Sequence, residues 1–240
     1  MTDTPSPDEL FYLRTGMDKQ NVARLTAQAL EGMDDGELFL EYSQAESLAF
    51  DDGKLRNASF NTSQGFGLRS VLGEASAYAH ASELSENAIK RAISTARAVH
   101  HGQSGTVALI KPAFGTNTHL YDDINPLKEV AFEHKVALLT QIDAYVRAAN
   151  PLVKQVSASL SGQWQAVQII KADGSIAEDI RPLVRLNINV LVEKDGRMET
   201  GSAGAGGRTG YAFYIGEGEW KRLADEALRQ ALVNLDAVAA

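Results

Sequence analysis

The sequence contains no cysteine among its 240 residues, which excludes disulfide bonds and metal sites that use thiolate ligands. It also has no run rich in lysine or arginine, and acidic residues outnumber basic ones by 31 to 23, which gives a formal net charge of −8. A surface that follows nucleic-acid phosphates needs clustered positive charge. We therefore expect no nucleic-acid partner.

Long apolar runs are missing as well. No stretch approaches the roughly 20 apolar residues that span a bilayer. The first ten residues, MTDTPSPDEL, carry no basic region of the kind that opens a signal peptide. We expect no membrane partner and a cytoplasmic location. The same polar beginning predicts a flexible tail over residues 1–16, followed by one domain over residues 17–240.

Turn signals predict two groups of hairpins. Asp52-Gly53 separates two β-prone runs, and a second turn near Gly73 follows, which predicts strands at about residues 37–50, 54–71 and 75–81. Asp173-Gly174 and Asp195-Gly196 divide the second group. Its middle strand is predicted by apolar residues at every second position, namely Val184, Leu186, Ile188, Val190 and Val192.

Apolar residues at helical spacing predict four helices, at about residues 19–32, 84–100, 126–149 and 218–235. The third has asparagine and proline at its start and an apolar stripe of Phe132, Val136, Leu139, Ile142 and Val146. Residues 101–123 are predicted to be irregular. Tight hairpins give antiparallel pairing, so the predicted class is α+β, with hairpin-linked strands in two three-stranded groups packed with about four helices.

The stretch GSAGAGGRTGY, residues 201–211, is unusually rich in glycine. A dinucleotide-binding loop needs its glycines between a strand and a helix of a parallel βαβ unit. Here they follow a hairpin strand and precede a segment that we expect to be extended or looped. A loose strand end is one reading. We favour room for a passing polypeptide, because strand glycines mark close approach of another backbone, with Gly204, Gly206, Gly207 and Arg208 as substrate-binding candidates.

Several segments resemble one known family closely. These are ASLSG, the run from DGSIAEDIRPLVRL through KDGRMETGSAGAGGRTGYAFY, and the ending EALRQALVNLDAVAA, which are similar to the TldD branch of the TldD/PmbA family. Upstream, FDDGKLRNASFNTSQGFGLRSV resembles that family's N-terminal hairpins. The resemblance covers the chain from about residue 36 to its end.

The resemblance implies a zinc-dependent peptidase that acts on unfolded or flexible peptides as a heterodimer with a PmbA-like subunit. In this family the metal sits on a His-Glu-x-x-x-His motif that a later cysteine completes. This sequence departs from that pattern. None of its five histidines begins a His-Glu pair, and there is no cysteine. We therefore expect no catalytic residue and no bound zinc in this chain, and zinc only in a longer parent of which the chain is an N-terminal part, inactive alone.

Three hypotheses remain from the sequence. The favoured one is a domain that guides substrate and contacts the second subunit, holding peptide by strand addition to a sheet edge. Arg208 then either binds a substrate carboxylate or carbonyl or pairs with a neighbouring acid, and we favour the structural pairing. Arg69 is a candidate of the same kind, for which a structural role is favoured more strongly. The alternatives are a non-catalytic oligomerisation or interaction module, and a nucleotide binder.

Overall fold

A computed structural model describes residues 4–100 and 120–237. Its centre is one antiparallel sheet of six strands in the order β3-β2-β1-β4-β5-β6. The predicted α+β class is confirmed. The two predicted groups of three strands form a single sheet because β1 pairs with β4 along most of its length. The strands are β1 (Asp35–Asp51), β2 (Lys54–Leu72), β3 (Ala75–Ala81), β4 (Val153–Lys171), β5 (Ile176–Lys194) and β6 (Arg197–Gly207).

Two of the tight turns have the backbone geometry that their sequences predict. Asp52 and Gly53 have φ of 50° and 75°, and Asp195 and Gly196 have φ of 53° and 82°. Positive φ at both central residues belongs to the type I′ turn, whose twist matches that of the adjoining strands. The Asp-Gly pairs therefore fix the β1–β2 and β5–β6 hairpins locally.

The described residues form six helices, α1 (Lys19–Leu30), α2 (Glu86–Val99), α3 (Pro126–Glu129), α4 (Phe132–Ala149), α5 (Ala212–Ile215) and α6 (Glu217–Asp236). A π-helical turn at Glu9–Leu13 precedes them. Side chains of Asp18 and Ser85 cap the N-termini of α1 and α2. Instead of one helix after Asn125, the structure has the four-residue α3 and then α4. The segment after the glycines, expected to be extended, begins with the short helix α5.

The long helices cover one face of the sheet. Side chains at every second strand position form two apolar clusters on this helix-covered face. One cluster joins β1, β4 and β5 to α4 and α6, with Leu48, Leu160 and Leu186 at its centre. The other joins β1, β2 and β4 to α1 and α2 through Leu38 and Ile170. The opposite, open face is polar and includes Ser157, Ser159, Ser161, Asn187 and Asn189.

The N-terminal turn departs from the flexible tail that we expected over residues 1–16. Leu10, Phe11 and Tyr12 are buried in the second apolar cluster. Tyr12 donates a hydrogen bond to Gln168, which is fully buried on β4. Burial raises the pKa of the Tyr12 hydroxyl, and the nearby charge of Asp8 adds to this effect. Removing three large apolar side chains from water outweighs the polar composition of the residues before them.

In the described part of the chain, no helix is both long and apolar enough to cross a bilayer. The predicted irregular segment lies mostly outside the described residues, as do His101 and His119.

Candidate functional site

The glycine-rich stretch lies within and just after β6, which is an edge strand of the sheet. Gly201 faces the helices. A Cβ atom at this position would lie 2.2 Å from the carbonyl oxygen of Ala227 and 2.3 Å from the amide nitrogen of Ala231. Glycine is therefore required here because the backbone of α6 lies directly against the strand.

Helix α6 also covers part of the outer edge of β6. The Ser202 amide donates to Gln230 Oε1 at 3.4 Å, and the Asn234 amide group donates to the Thr200 carbonyl at 2.9 Å. Both strand groups point away from β5. Because backbone groups alternate in direction along a strand, those of Gly204 and Gly206 point to the same outer side. No described residue hydrogen-bonds to them.

We predicted space for another polypeptide beside these glycines, but on the open face of the sheet atoms of β5 already fill that space. A Cβ atom on Gly204 would lie 2.5 Å from Asn187 Oδ1, and one on Gly206 would lie 2.9 Å from the Val184 carbonyl oxygen. Side chains of β5 therefore lie against the glycines. At Gly207 a Cβ atom would meet only Thr209 Cγ2, at 4.0 Å. The space for another backbone is at the outer edge beside Gly204 and Gly206, whose outward backbone groups have no hydrogen-bonding partner among the described residues.

Arg208 follows the last residue of β6. Its guanidinium donates to the Pro182 carbonyl at 3.3 Å and lies 5.5 Å from the centroid of the Tyr121 ring. Pro182 is on β5 beyond the end of β6, where a missing amide hydrogen costs no sheet pairing. No carboxylate of the described residues forms an ion pair with Arg208. The alternative in which this arginine pairs with a neighbouring acid therefore finds no partner there.

Tyr121, which supports Arg208, is itself held in place. Its hydroxyl donates to Asp179 Oδ2 at 2.7 Å, and Arg181 Nε donates to the same oxygen at 2.6 Å. Burial raises the pKa of Asp179, but the hydrogen bonds from Arg181 and Tyr121 outweigh it and leave the pKa below its usual value. Asp179 is therefore a carboxylate with its charge already balanced.

A cavity of about 310 Å³ opens beside Arg208. It lies near the step of the sheet, the place where β6 ends at Gly207 while β5 continues to Ile176. The lining combines a cation, a hydroxyl, an acid and apolar groups, and is formed by Leu120, Tyr121, Asp122, Ile124, Arg208 and Thr209.

Arg69, the second arginine candidate, lies in a different setting. Its Nε and Nη2 atoms donate to the two carboxylate oxygens of Glu37 at 2.7 and 2.9 Å, and Nη2 also reaches Asp35. These hydrogen bonds raise the pKa of Arg69, with Glu37 the larger cause. The carboxylates join β2 to β1, so Arg69 has a structural partner on the neighbouring strand. The structure does not bring Arg69 together with Arg208.

The segment that follows Arg208 is anchored by a buried polar cluster that the sequence did not reveal. Lys135 on α4 is 1% exposed and donates to Glu46 Oε1 at 2.6 Å. Tyr211 donates to the same oxygen at 3.2 Å, and its ring lies 4.6 Å from the lysine Nζ. Burial raises the pKa of Tyr211, and Glu46 adds to the effect. The hydroxyl occupies the place where a side chain at Gly162 would begin.

The buried face of α4 differs in part from the apolar stripe that the sequence predicted. Phe132 is 44% exposed, whereas Lys135 is buried with Leu139, Ile142 and Val146. The positions 135, 139, 142 and 146 also have helical spacing. This spacing was the only feature of the sequence that indicated burial of Lys135. A charged residue is not counted in an apolar stripe, so the feature was missed.

The histidines among the described residues do not converge. His80 and His134 are exposed, whereas His100 is buried at the end of α2, with Nε2 3.0 Å from the Ser70 hydroxyl. In the described ranges, no three histidine, aspartate or glutamate side chains form a group that could hold a metal ion. The described residues therefore do not supply a ligand set that fits a catalytic zinc.

Comparison with known families identifies two segments. Residues 36–99 match the PmbA/TldA metallopeptidase domain 1, and residues 125–235 match the PmbA/TldA metallopeptidase central domain. Both segments contribute strands to the one sheet, since β1 pairs with β4.

Curated relatives are named metalloprotease TldD homologs. The chain is 40% identical to the one from Haemophilus influenzae over 215 residues, which cover 87% of this chain and 44% of the relative. It is 33% identical to the one from Buchnera aphidicola subsp. Schizaphis graminum over 210 residues, which cover 85% of this chain and 43% of the relative. The chain thus spans less than half the length of these relatives.

Solved structures share the fold. TldE from Thermococcus kodakarensis matches with a TM-score of 0.68 at 13% identity, covering 89% of this chain and 47% of the other. A Bacteroides thetaiotaomicron protein, described as a candidate modulator of DNA gyrase, matches with a TM-score of 0.71 at 11% identity, covering 93% of this chain and 52% of the other.

Proposed function

This chain belongs to the PmbA/TldD metallopeptidase family, and we propose that it is the substrate-guiding and subunit-contacting part of a zinc-dependent peptidase of the TldD type. The peptidase acts on unfolded or flexible peptides in the cytoplasm. Zinc and the hydrolytic step belong, in this proposal, to residues outside the 240 of this chain. Neither nucleic acid nor membrane is a partner.

The observation that carries the substrate-guiding role is the outer edge of β6 at Gly204 and Gly206. Their backbone groups point away from β5, and no described residue pairs with them. An extended peptide adds to such an edge through main-chain hydrogen bonds, which do not depend on the side chains of the peptide. This mode of binding suits a peptidase whose substrates share an unfolded backbone rather than a sequence.

Edge strands are usually protected against unwanted pairing by charge, proline or a covering element. Helix α6 covers β6 at Thr200 and Ser202 and stops doing so toward Gly204. The part of this edge that no described residue covers is thus short, about two residues or roughly 7 Å of strand. A short edge limits aggregation while it leaves one anchoring point for a peptide backbone.

The test compares two variants at Gly204. Proline and alanine both add a Cβ atom, which meets the movable Asn187 side chain, but only proline lacks the outward amide hydrogen. We expect Gly204→Pro to weaken binding of a fluorescein-labelled unstructured peptide at least tenfold more than Gly204→Ala, as measured by fluorescence anisotropy. Circular dichroism melting of both variants checks the fold. Equal binding by both variants would contradict strand addition at this edge.

The same peptide serves to test the assignment of catalysis. The purified chain with added zinc is expected to leave the peptide intact, as followed by mass spectrometry. Cleavage that a chelator abolishes would place the catalytic centre within these residues and overturn that part of the proposal.

Contact with a PmbA-like second subunit is supported by apolar side chains that remain accessible on the helices. Phe132 begins α4, Phe213 lies on α5 and Val233 on α6, and they are 44%, 57% and 56% exposed. Exposed aromatic residues are enriched at protein interfaces. The alternative function, a non-catalytic oligomerisation module, uses the same residues. Size-exclusion chromatography of the chain alone and with a PmbA-like protein separates the two, since only the module is expected to self-associate without the partner.

A further inference from the structure

We infer that the cavity beside Arg208 binds the C-terminal carboxylate of a peptide, so that the bound chain runs parallel to β6. This inference rests on the proposed function, because it names the chemical group that the guided peptide presents. It starts from the geometry of the step, where Arg208 lies two residues after Gly206 in the chain and lines the cavity at the end of β6.

Within the part of the chain that the structure describes, Arg208 uses only part of its hydrogen-bonding capacity. A guanidinium carries five N–H donors, and among the described residues the only acceptor for Arg208 is the Pro182 carbonyl. Most other arginines are already paired with carboxylates, as Arg69, Arg147 and Arg181 are. A planar guanidinium with free donors matches the two oxygens of a carboxylate, which it binds in bidentate geometry.

The guanidinium is also held in position before a ligand arrives. It lies over the Tyr121 ring, and that ring is fixed through Asp179, whose charge Arg181 balances. The Asp179 carboxylate accepts hydrogen bonds from Tyr121 and Arg181, and Arg208 acts on it only through its charge. A positioned donor loses less freedom on binding than a mobile surface side chain does.

The rest of the cavity lining favours the end of a peptide over other anions. Leu120 and Ile124 are exposed apolar side chains that suit the side chain of a last residue, and Thr209 offers a hydroxyl. A phosphate group carries more negative charge than one arginine balances, and phosphate sites commonly use several cations. Asp122 also lines the cavity and opposes an anion, so it sets a limit on affinity.

The direction of the peptide follows from these positions. The cavity lies at the C-terminal end of β6. A peptide whose carboxylate reaches Arg208 therefore has its last residues beside Gly206 and its earlier residues beside Gly204. Its direction is then the same as that of β6, with the outward backbone groups of the two glycines as its hydrogen-bonding partners.

The experiment compares two peptides that differ only at the C-terminus. Both carry fluorescein at the N-terminus and share one unstructured sequence with a final leucine; one has a free carboxylate and the other an amide. We expect the whole chain to bind the acid about tenfold more tightly than the amide, a ratio typical of one charge-assisted hydrogen-bonded contact. Arg208→Gln is expected to remove this ratio, Arg208→Lys to retain part of it, and Asp122→Asn to increase it.

Arg24→Gln is the matched control. Arg24 lies on α1 and, like Arg208, bonds only to neutral groups, those of Asn21 and Gln28. It is expected to leave the acid-to-amide ratio unchanged. Equal binding of acid and amide to the unmodified chain, or a ratio that survives Arg208→Gln, overturns the carboxylate site.

The Gly204→Pro variant keeps this test separate from the proposed function. Loss of strand addition is expected to weaken both peptides alike and leave the ratio between them near its original value. If both peptides bind equally and Gly204→Pro weakens both, the edge is supported and the carboxylate site is wrong. If neither peptide binds the unmodified chain, the proposed function itself is contradicted, and this inference with it.

Discussion

Residues 65–69 and 204–208 both follow the pattern Gly-x-Gly-x-Arg, so each run places two glycines and an arginine at alternate positions along the chain. The first run lies on β2, which has β3 on one side and β1 on the other, whereas the second ends β6 at the edge of the sheet. β2 therefore has a paired strand on each side, whereas β6 has a described strand, β5, on one side only.

In the first run, residues of the neighbouring strands contact both glycines and the arginine. A Cβ atom on Gly65 would lie 2.6 Å from the Ala81 carbonyl oxygen, and one on Gly67 would lie 2.5 Å from the Tyr78 hydroxyl. Arg69 is shared between Glu37 and Asp35 of β1. The second run has β5 on one side only, and its arginine finds a backbone carbonyl and a ring instead of an acid. The same residue pattern therefore has partners on both sides in one place, whereas in the other it has a described strand on one side only, and there we propose that a peptide binds.

The segment after the second run is anchored in the interior through Tyr211, Glu46 and Lys135, and removing the charge of Lys135 has the largest effect that we expect. Lys135→Met leaves the Glu46 carboxylate without its cation in a buried position. Breaking one partner of a buried ion pair costs about 3 kcal/mol. Chemical denaturation is expected to show this loss, and the region around Tyr211 to lose protection in hydrogen exchange.

Lys128→Met controls for the removal of a lysine from the same part of the chain, since Lys128 is exposed on α3. It is expected to change the free energy of unfolding by less than about 0.5 kcal/mol. A similar loss in both variants would show that Glu46 does not need Lys135.

The next effect distinguishes the two sides of β6. Gly201→Ala introduces a methyl group against the backbone of α6, which has no side-chain freedom with which to respond. Overpacking of this kind costs about 2 kcal/mol. Gly204→Ala, three residues later and on the open face, meets only the Asn187 amide and the Leu186 carbonyl at 3.1 Å, so we expect a smaller loss. Thermal melting that ranks the two variants in the reverse order would contradict the assigned faces.

The smallest effect compares the two arginines directly. Arg69→Gln removes partners from Glu37 and Asp35, and because the arginine is partly exposed we expect a loss of only about 1 kcal/mol at neutral pH. Arg208→Gln breaks no ion pair among the described residues and is expected to change stability by less than about 0.5 kcal/mol. Comparable losses would mean that Arg208 has a structural role after all.

The pH dependence sharpens the comparison of the arginines. The hydrogen bond from Arg69 lowers the pKa of Asp35 in the folded chain. A carboxylate with a lowered folded pKa contributes stability above its unfolded pKa of about 3.9 and loses it as the pH falls through the folded value. The penalty of Arg69→Gln is therefore expected to shrink below about pH 4. Arg208 also lowers the pKa of Asp179 through its charge, as the smallest of the causes that act on that carboxylate, so the effect of Arg208→Gln on stability is expected to change less over the same range.

Much of the fold is determined by local features of the sequence. The Asp-Gly pairs at residues 52–53 and 195–196 require positive φ and so specify tight turns, and the alternating run from Val184 to Val192 specifies a strand with one buried face. Capping residues such as Ser85 and Asp18 mark helix starts. Each of these depends on a few neighbouring residues, which is why the α+β class and the antiparallel pairing were predictable.

The places where the sequence misled us depend on distant partners. Tyr12 is buried because β4 supplies Gln168, and Lys135 is buried because β1 supplies Glu46; neither partner is near in the chain. The role of each Gly-x-Gly-x-Arg run is likewise set by strand order, since β1 pairs with β4 and leaves β6 at the edge. A sequence pattern specifies which groups a strand presents, but only the tertiary structure decides whether a neighbour already satisfies them, because hydrogen bonds and charge pairs are made between segments rather than within one.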